Sequence, residues 1–404
     1  MNILLVSQYF YPENFRINDV AAALAKEGHR VLVLTGLPDY AAGRVPRAYR
    51  FFRKRREIWR DVEIVRVPTF SRRHGVVFRA LNYASFVLSG IVYARLCRFR
   101  ADLVLSYQTS PVLQALPALS HKKRTGAPLL LYCCDLWPES LKAWNVGEGH
   151  PLFRLMKRWS RRIYQRADRV GVTSAPFMEY LEKVLGISRD RMVYLPQHAE
   201  DWFSSVACRY EKHDTVNFLF AGNVGAVQNV DCLLEAASLL PSDSPVRIQI
   251  VGDGSELPRC RELAEKWSLK NRVTFYGSRP AEEMPSFYRQ ADALVLTLRG
   301  GDFIGQTLPA KFQGYLGAGK AVVAAADGAV PEEMAAADCG ICVSAGDAAG
   351  LAAALETVAS HPEEYREKGR RGRIYFERNF TRERFMERLD ELIRQLTGGK
   401  AGTR

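Results

Sequence analysis

The residues best placed to do chemistry surround Lys311, which comes just before an apolar helix. The segment from Leu308 to Asp327 reads LPAKFQGYLGAGKAVVAAAD, so the predicted order is loop, helix, Ala-Gly-Lys and strand. At the start of that helix, free backbone N–H groups, the helix dipole and the Lys311 ammonium group can converge on a phosphate. The pattern predicts a binding site for a nucleotide diphosphate. It also fits an ordinary strand, loop, helix and strand unit whose lysine lies in solvent.

Three glycine-containing loops follow predicted strands in the same half of the chain, over residues 221–231, 251–256 and 300–311. Glycine lets backbone amides approach a ligand closely, although glycine after a strand is also common where the chain merely turns. Three such loops in one domain are a stronger signal than one. The candidate ligand-binding residues in them are Gly222, Asn223, Gln228, Gly252, Asp302, Gly305, Gln306 and Thr307.

Apolar runs and helical stretches alternate along the chain, and they predict the strands and helices that would position these loops. The strand-like runs are NILLVSQYF, RVLVLTG, EIVRVP, ADLVLSYQ, PLLLYCCD, RVGVTS and RMVYLP in the first half, and VNFLFAG, RIQIVGDG, RVTFYG, ADALVLTL, KAVVAA and CGICVSAG in the second. Helical stretches such as residues 17–27 separate them. We therefore predict an α/β fold of two doubly wound, parallel-sheet, Rossmann-like domains facing a cleft, with ligand-binding loops at the strand C-termini.

The length agrees with this organisation, because 404 residues suit two domains of about 200 residues each. We predict an N-terminal domain over residues 1–200 and a C-terminal domain over residues 201–380. The polar, irregular stretch from Pro196 to Asp214 would join them. The charged tail from Arg370 to Arg394 is predicted to be helical, with residues 381–404 returning to the N-terminal domain.

Charge is distributed unequally between the two halves. Residues 1–200 carry 32 Lys and Arg against 16 Asp and Glu, whereas residues 201–404 carry 25 against 28. In the basic half, the uncharged stretch from Ala80 to Ala94 lies between arginines, and a second basic stretch, from Leu152 to Arg169, has aromatic residues at helical spacing. Fifteen uncharged residues are too few to span a bilayer, so we predict helices that lie in the headgroup region of an anionic membrane. The alternative is that the aromatic stripes are core and the arginines a solvated face.

Other features narrow the class of partner and the compartment. Nucleic acid is disfavoured, because the arginines flank an apolar helix instead of alternating with stacking aromatics on a sheet. Residues 1–6 run into a strand without a basic leader or cleavage site, so we expect a cytoplasmic protein, peripheral on the inner face of the cytoplasmic membrane. The eight cysteines are scattered along the chain, which fits reduced thiols better than a disulfide framework. Cys339 and Cys342 form a CxxC without a partner pair, and no metal or other cofactor is predicted.

The block from Pro309 to Lys320, together with the glycine loop before it, resembles the donor domain of family-4 glycosyltransferases of the GT-B fold. The segment from Tyr9 to Tyr40, YFYPENFRINDVAAALAKEGHRVLVLTGLPDY, and DLWPES, from Asp135 to Ser140, resemble a bacterial subgroup of that family. Members of the subgroup build O-antigen, capsule and colanic acid repeat units on a polyprenyl diphosphate carrier, and some move L-fucose or N-acetyl-L-fucosamine. The resemblance covers nearly the whole chain.

The resemblance implies retaining transfer of a sugar from a nucleotide diphosphate, here a UDP-sugar, to a polyprenyl-diphosphate-linked saccharide. It implies no metal held by a DxD motif. Lys311 carries over as the diphosphate ligand, and amides near Gly305, Gln306 and Thr307 could help to stabilise the leaving diphosphate. Asp302 and Gln306 could hydrogen-bond the hydroxyl groups of the sugar.

On the acceptor side, the candidates after the first strand are Glu13, Asn14, Arg16 and Asn18. Arg16 suits bidentate contacts with a carrier diphosphate. Asp135 follows the fifth strand at the same edge, where it would act as a base, bind a sugar hydroxyl, or simply cap a helix. In retaining front-side transfer the departing phosphate can itself take the proton, so the resemblance does not require a protein base.

The chain departs from the family pattern at three places. Asn223 and Gln228 stand where many relatives carry an arginine and a lysine, so Lys311 must do more. Gly314 stands where relatives carry a glutamate thought to hold the ribose, and Glu332 or Glu333 is the candidate substitute.

Two other classes of protein stay open. A non-catalytic protein that binds nucleotide sugars is consistent with the missing charged residues. A nucleotide-sugar epimerase or dehydrogenase is less favoured, because the first strand is followed by SQYFYPENF and lacks GxGxxG.

Overall fold

The structure is a computed structural model that describes residues 1–40, 43–51, 53–73, 75–206, 214–301 and 307–398. The chain divides into two compact units. Unit 1 comprises Met1–Leu195 and Met386–Arg404, and unit 2 comprises Pro196–Phe385. The first division thus lies a few residues before position 200, and the chain rejoins unit 1 a few residues after position 381.

The sheet of unit 1 contains eight strands among the described residues. They are β1 (Asn2–Val6), β2 (Arg30–Thr35), β3 (Arg56–Trp59), β4 (Val62–Arg66), β5 (Leu103–Gln108), β6 (Leu129–Cys133), β7 (Arg169–Val172) and β8 (Met192–Tyr194). Their order is β3-β4-β2-β1-β5-β6-β7-β8, and only the β3–β4 pair is antiparallel. The seven predicted strands are confirmed. Strand β3 was not predicted, because its half-exposed residues lack a continuous apolar run.

The helices of unit 1 are α1 (Arg16–Lys26), α2 (Val76–Leu96), α3 (Leu116–Thr125), α4 (Pro151–Tyr164) and α5 (Ala175–Lys183). The predicted helix over residues 17–27 agrees with α1. The predicted basic helix was too long at its end, because Arg169 already belongs to β7. In α4, Phe153, Met156 and Ile163 are buried, so those positions are core, whereas Trp159 is 37% exposed.

Helix α2 has one core face and one exposed apolar face. Asn82, Phe86, Gly90 and Ala94 are buried along its inner side. A Cβ atom at Gly90 would lie 2.7 Å from Pro117 of α3, so the two helices pack closely. The outer side carries the exposed residues Val77, Leu81, Leu88 and Val92, which we call the apolar stripe. Within the described residues, α2 is long and apolar enough to cross a membrane, with a mean hydropathy of 1.4 over its most apolar window, although core helices of soluble proteins can pass the same test.

Unit 2 is built on a six-stranded parallel sheet in the described part of the chain. The strands are β9 (Val216–Ala221), β10 (Val246–Val251), β11 (Val273–Gly277), β12 (Ala293–Thr297), β13 (Ala321–Ala325) and β14 (Gly340–Val343). Their order is β11-β10-β9-β12-β13-β14, so the direction of winding reverses between β9 and β12. All six were predicted. In open sheets of this kind, ligands bind beyond the strand C-termini at such a reversal.

The helices of unit 2 and the tail are α6 (Val230–Leu239), α7 (Leu257–Lys266), α8 (Met284–Gln290), α9 (Ala310–Gly317), α10 (Ala329–Ala337), α11 (Ala348–Ser360), α12 (Pro362–Asn379) and α13 (Arg382–Thr397). The tail from Arg370 to Arg394 was predicted to be helical, and it is helical except for a short break between α12 and α13. Helix α12 ends before Phe380, whose side chain is buried and whose φ angle of −125° is not helical. Burial of that ring sets the break, and the charge pattern of the tail does not reveal it.

The stretch from Pro196 to Asp214 was predicted to be a polar linker, and its described first part is not one. Residues 196–206 belong to unit 2, where Ala199, Phe203 and Val206 are buried. The Phe203 ring stacks on Trp202, with their centroids 3.7 Å apart. Burial of these apolar side chains makes the segment part of the core of unit 2.

Candidate functional site

Two glycine loops at the C-terminal edge of the unit 2 sheet pack backbone against backbone. Gly222 follows β9 and Gly252 follows β10, with φ angles of 133° and 144°. The N–H of Gly252 donates to the carbonyl of Gly277 at 2.9 Å. A Cβ atom at Gly252 would lie 1.8 Å from the carbonyl oxygen of Gly222. Glycine is therefore required at Gly252, and the structure brings these two predicted residues together.

The two amide side chains that replace the expected cations bond to each other. Asn223 Nδ2 donates to Gln228 Oε1 at 2.9 Å, and the same oxygen accepts the N–H of Gly225 at 3.2 Å. The carbonyl of Gln228 accepts the hydroxyl of Thr297 at 2.6 Å. These bonds order the loop between β9 and α6, and neither side chain brings a positive charge to this edge.

Lys311 lies in the first turn of α9 with its amine directed towards the glycine loops. A Cβ atom at Gly222 would lie 3.5 Å from Lys311 Nζ, and Nζ lies 4.1 Å from the centroid of the Phe220 ring. The amine is buried and has no hydrogen-bond partner in the described structure. Burial lowers the pKa of Lys311 to about 7. The alternative of a lysine in solvent is therefore wrong, and a buried amine in the first turn of a helix, beside two glycine loops, is an anion-binding arrangement.

The place of the expected ribose-binding glutamate is filled by an aromatic ring. A Cβ atom at Gly314 would lie 2.4 Å from the ring of Phe203, so no larger side chain fits there without movement of that ring. Of the proposed substitutes, Glu333 accepts the hydroxyl of Tyr375 at 2.8 Å, and Glu332 is exposed in the first turn of α10. Gly314 was identified from the sequence as a departure from the family pattern, but its contact with Phe203 was not predicted.

The third predicted loop is described only in part. Asp302, Gly305 and Gln306 lie outside the described residues, whereas Thr307 is described and exposed. Asp327, which follows β13, was not predicted. Its Oδ1 accepts the N–H of Ala345 at 3.0 Å, and its Oδ2 lies 3.4 Å from where a Cβ atom at Gly300 would be. A carboxylate therefore stands at the same sheet edge as the glycine loops.

In unit 1, the predicted residues after β1 lie in a loop that is held by hydrogen bonds. Glu13 Oε1 accepts the N–H of Tyr40, and the side-chain amide of Asn18 donates to the Glu13 carbonyl at 2.7 Å. Asn14 is exposed. Arg16 begins α1. Burial raises the pKa of the Tyr107 phenol, and the nearby charge of Arg16 opposes this shift. Glu13 and Asn18 thus shape the loop, while Asn14 is open to solvent.

Asp135 follows β6 and lies at the same edge. Its Oδ2 accepts the hydroxyl of Ser110 at 2.7 Å, and that hydroxyl accepts the indole N–H of Trp137 at 3.0 Å. Burial raises the pKa of Asp135, and the hydrogen bond from Ser110 opposes this shift. The short helical turn that follows begins after Pro138, so Asp135 does not cap it. A carboxylate with a raised pKa at this edge can accept a proton.

An aromatic cluster with an arginine lies at this edge and was not predicted from the sequence. Its three rings belong to the segment from Tyr9 to Tyr40. Tyr9, Phe15 and Tyr40 pack together, with centroid distances of 4.8 to 5.8 Å. The guanidinium of Arg72 lies 4.3 Å from the Tyr40 centroid, and the backbone N–H of Arg72 donates to Asp39 at 2.7 Å. Burial raises the pKa of Asp39 to about 6. Flat rings and a guanidinium are groups that contact sugar rings and phosphates.

A group of potential metal ligands lies elsewhere in unit 1. Glu27, His29 and Asp390 place ligand atoms within 4.8 Å of one another. His29 directly precedes β2, so this group lies at the N-terminal end of that strand and not at the edge that carries Asp135. The thiols of Cys339 and Cys342 have pKa values that burial raises to about 12 and about 11, which disfavours metal-binding thiolates. The absence of a metal in the reaction stays a prediction.

Both halves of the sequence match models of glycosyltransferase domains. Residues 14–198 match the glycosyl transferase 4-like domain, and residues 209–374 match the glycosyl transferases group 1 model. WcaI of Escherichia coli K12, named for colanic acid biosynthesis, is 25% identical over 357 residues, which cover 81% of this chain and 84% of WcaI.

Solved structures share the fold at low sequence identity. Anabaena HepE in complex with UDP superposes with a TM-score of 0.71 at 15% identity, covering 98% of this chain and all of HepE. Sucrose-phosphate synthase of Thermosynechococcus elongatus gives a TM-score of 0.75 at 18% identity, with 98% and 99% coverage. The predicted fold is confirmed. With these two sheets and a glycosyltransferase domain matched in each half, the chain belongs to the GT-B glycosyltransferases of the family-4 type.

Proposed function

We propose that this enzyme transfers a sugar, with retention, from a UDP-sugar to a polyprenyl-diphosphate-linked saccharide during synthesis of a bacterial surface polysaccharide. The sugar would be a deoxy or N-acetylamino sugar such as N-acetyl-L-fucosamine. The observation that carries the proposal is the buried amine of Lys311, which lies beside the loops of Gly222 and Gly252 and has no hydrogen-bond partner among the described residues. A charged diphosphate would compensate this desolvated cation.

The proposed chemistry divides between the two units. In unit 2, the Lys311 ammonium and backbone amides would stabilise the charge that develops on the leaving diphosphate. In unit 1, Asp135 would orient the acceptor hydroxyl or take its proton, consistent with its raised pKa. The UDP in the HepE complex and the name of WcaI support the choice of a nucleotide-sugar donor and a surface-polysaccharide product.

Contact with the anionic inner face of the cytoplasmic membrane completes the proposal. The apolar stripe of α2 is exposed, with Leu88 65% and Val92 57% accessible, and arginines lie beyond both ends of the uncharged part of the helix. At its C-terminal end a groove of about 900 Å³ is lined by Leu96, Arg98 and other residues. Apolar residues framed by arginines fit the headgroup region of an anionic bilayer.

Donor binding by a matched pair of variants tests the central claim. Lys311→Met keeps the volume of the side chain and removes its charge. We expect it to weaken UDP binding by roughly 100-fold, about 2 to 3 kcal/mol, without lowering the melting temperature, since it removes a buried charge without hydrogen bonds. Lys266→Met, at an exposed position in α7, is the control. Unchanged UDP affinity in a folded Lys311→Met variant would show that the site is wrong.

A comparison of ligands separates the classes of protein. Thermal stabilisation by UDP or GDP but not by NAD favours a transferase over an epimerase or dehydrogenase. Transfer of sugar to a short polyprenyl-diphosphate saccharide, in a screen of donors, then distinguishes an enzyme from a nucleotide-sugar-binding protein. Stabilisation by NAD alone would contradict the proposal.

A further inference from the structure

A cavity in unit 1 is lined by arginines, and its lining residues Ser71 and Arg73 lie on either side of Arg72 in the chain. It has a volume of about 450 Å³, and the basic residues around it are Arg44, Arg50, Arg55 and Arg73. The other lining residues are Leu37, Val45, Tyr49, Phe51, Thr69 and Ser71, so no acidic residue is among them. Four like charges around one small volume repel each other unless an anion or solvent screens them.

The arginines of this cavity differ from the neighbouring Arg66. The buried guanidinium of Arg66 bonds to Glu57 at 2.6 Å and to the carbonyl of Tyr11 at 2.6 Å, so the protein itself satisfies it. In the described part of the chain, Arg44, Arg50 and Arg73 have no carboxylate within ion-pair distance, 4.0 Å. Their charges are therefore available to a ligand.

Arg55 is the more buried member of the set. Burial and the nearby charge of Arg66 both lower the pKa of Arg55, so the protein surroundings disfavour its positive charge. Close to the arginines, the hydroxyl-bearing residues Thr69 and Ser71 also line the cavity. Guanidinium and hydroxyl groups together are donors suited to phosphate oxygens.

The surroundings of the cavity indicate where the anion comes from. Phe51, which lines it, is 88% exposed, and Phe70, between Thr69 and Ser71, is 64% exposed. Arg73 lies a few residues before Val76, where the exposed apolar helix α2 begins. Exposed aromatic rings and an apolar helix beside a cationic cavity favour a ligand whose phosphate is attached to a hydrocarbon chain.

We propose that this cavity binds the phosphate or diphosphate headgroup of a membrane lipid and so fixes the enzyme on the bilayer at one defined place. The inference rests on the membrane contact in the proposed function and is independent of the donor site. It assigns a specific headgroup pocket, in addition to general attraction between basic residues and an anionic surface.

Binding of soluble short-chain lipids to the full-length protein tests the inference by calorimetry. Dihexanoyl phosphatidic acid should bind saturably, and dihexanoyl phosphatidylcholine should not. Arg44→Gln combined with Arg73→Gln should weaken binding of the phosphatidic acid at least about tenfold. Lys26→Gln combined with Lys123→Gln removes the same charge from exposed positions in α1 and α3 and should leave the affinity unchanged.

Each contrary result has a distinct meaning. If both double variants weaken binding of the phosphatidic acid equally, general electrostatic attraction explains the binding and the pocket is refuted. Absence of saturable binding to the wild-type protein would also refute the pocket. Inorganic pyrophosphate that binds as tightly as the lipid, with the same dependence on Arg44 and Arg73, would overturn its assignment to a lipid. Arg44→Gln alone replaces the double variant if that variant unfolds. UDP binding measured on every variant reports separately on the donor site.

Discussion

The two sheet edges that carry the candidate sites are built from different materials. The edge of unit 2 is made from backbone, with Gly222 and Gly252 in contact and one buried cation, Lys311. The edge of unit 1 is made from side chains, with Asp135 bonded to Ser110 and an aromatic cluster around Arg72. Backbone amides suit a diphosphate common to many donors, whereas side chains can be varied to fit one acceptor. The comparison predicts that the sheet edge of unit 2 tolerates substitution less well than the sheet edge of unit 1.

The largest expected effect tests the backbone construction of unit 2. Gly252→Ala should destabilise the protein by at least about 3 kcal/mol, because its Cβ atom would overlap the Gly222 carbonyl at 1.8 Å. Gly277→Ala is the matched control, since Gly277 also has a positive φ, 69°, but no atom lies within 4 Å of its Cβ position. That control should cost only about 1 to 2 kcal/mol. Chemical unfolding measures both, and equal losses would show that close packing of the loops does not matter.

An intermediate effect tests the isolated charge of Lys311. Its pKa is lowered to about 7, so the free enzyme loses this proton as the pH rises through 7. A bound diphosphate favours the ammonium form, so binding takes up a proton, and the dissociation constant of a UDP-sugar should rise by up to about tenfold per pH unit above 7. The diphosphate of a UDP-sugar does not itself titrate in this range. Titration calorimetry between pH 6 and 9 measures the change.

Lys311→Met provides the control for that pH dependence. It should bind weakly, with a dissociation constant that does not change between pH 7 and 9. If the dissociation constant of the wild-type protein also stays constant between pH 7 and 9, Lys311 remains charged over this range. The contrast between a single desolvated cation in unit 2 and the several arginines of unit 1 would then not hold.

The smallest expected effect concerns the exposed side chains of unit 1. Serine at Leu81, Leu88 and Val92 should reduce, but not abolish, sedimentation with neutral and anionic vesicles, because the arginines remain. High salt should release the wild-type protein only in part. Leu239→Ser with Ile374→Ser removes exposed apolar residues of unit 2 and is the control. If the α2 variant folds and binds like wild type, the stripe does not contact the membrane.

The choice of residues for that experiment depends on the structure. From the sequence alone, Phe86, Val87, Leu88 and Ile91 in the middle of the helix would all be candidates for contact with lipid. Phe86 is fully buried and Val87 is 9% exposed, so substituting them would damage the core. An uncharged helix does not show in its sequence which face is inside, because apolar residues occupy both faces.

Local patterns in the sequence determined the strands of the two sheets apart from β3, the glycine turns and the position of Lys311 in the first turn of α9. Continuous apolar runs and positive-φ glycines carry this information, because each reflects the chemistry of a few consecutive residues. Only the tertiary structure decided that the Lys311 amine is buried with no hydrogen bond to the described part of the chain, that Phe203 fills the space at Gly314, and that four arginines surround one cavity. These features depend on contacts between residues distant in sequence, and packing of the whole chain sets such contacts.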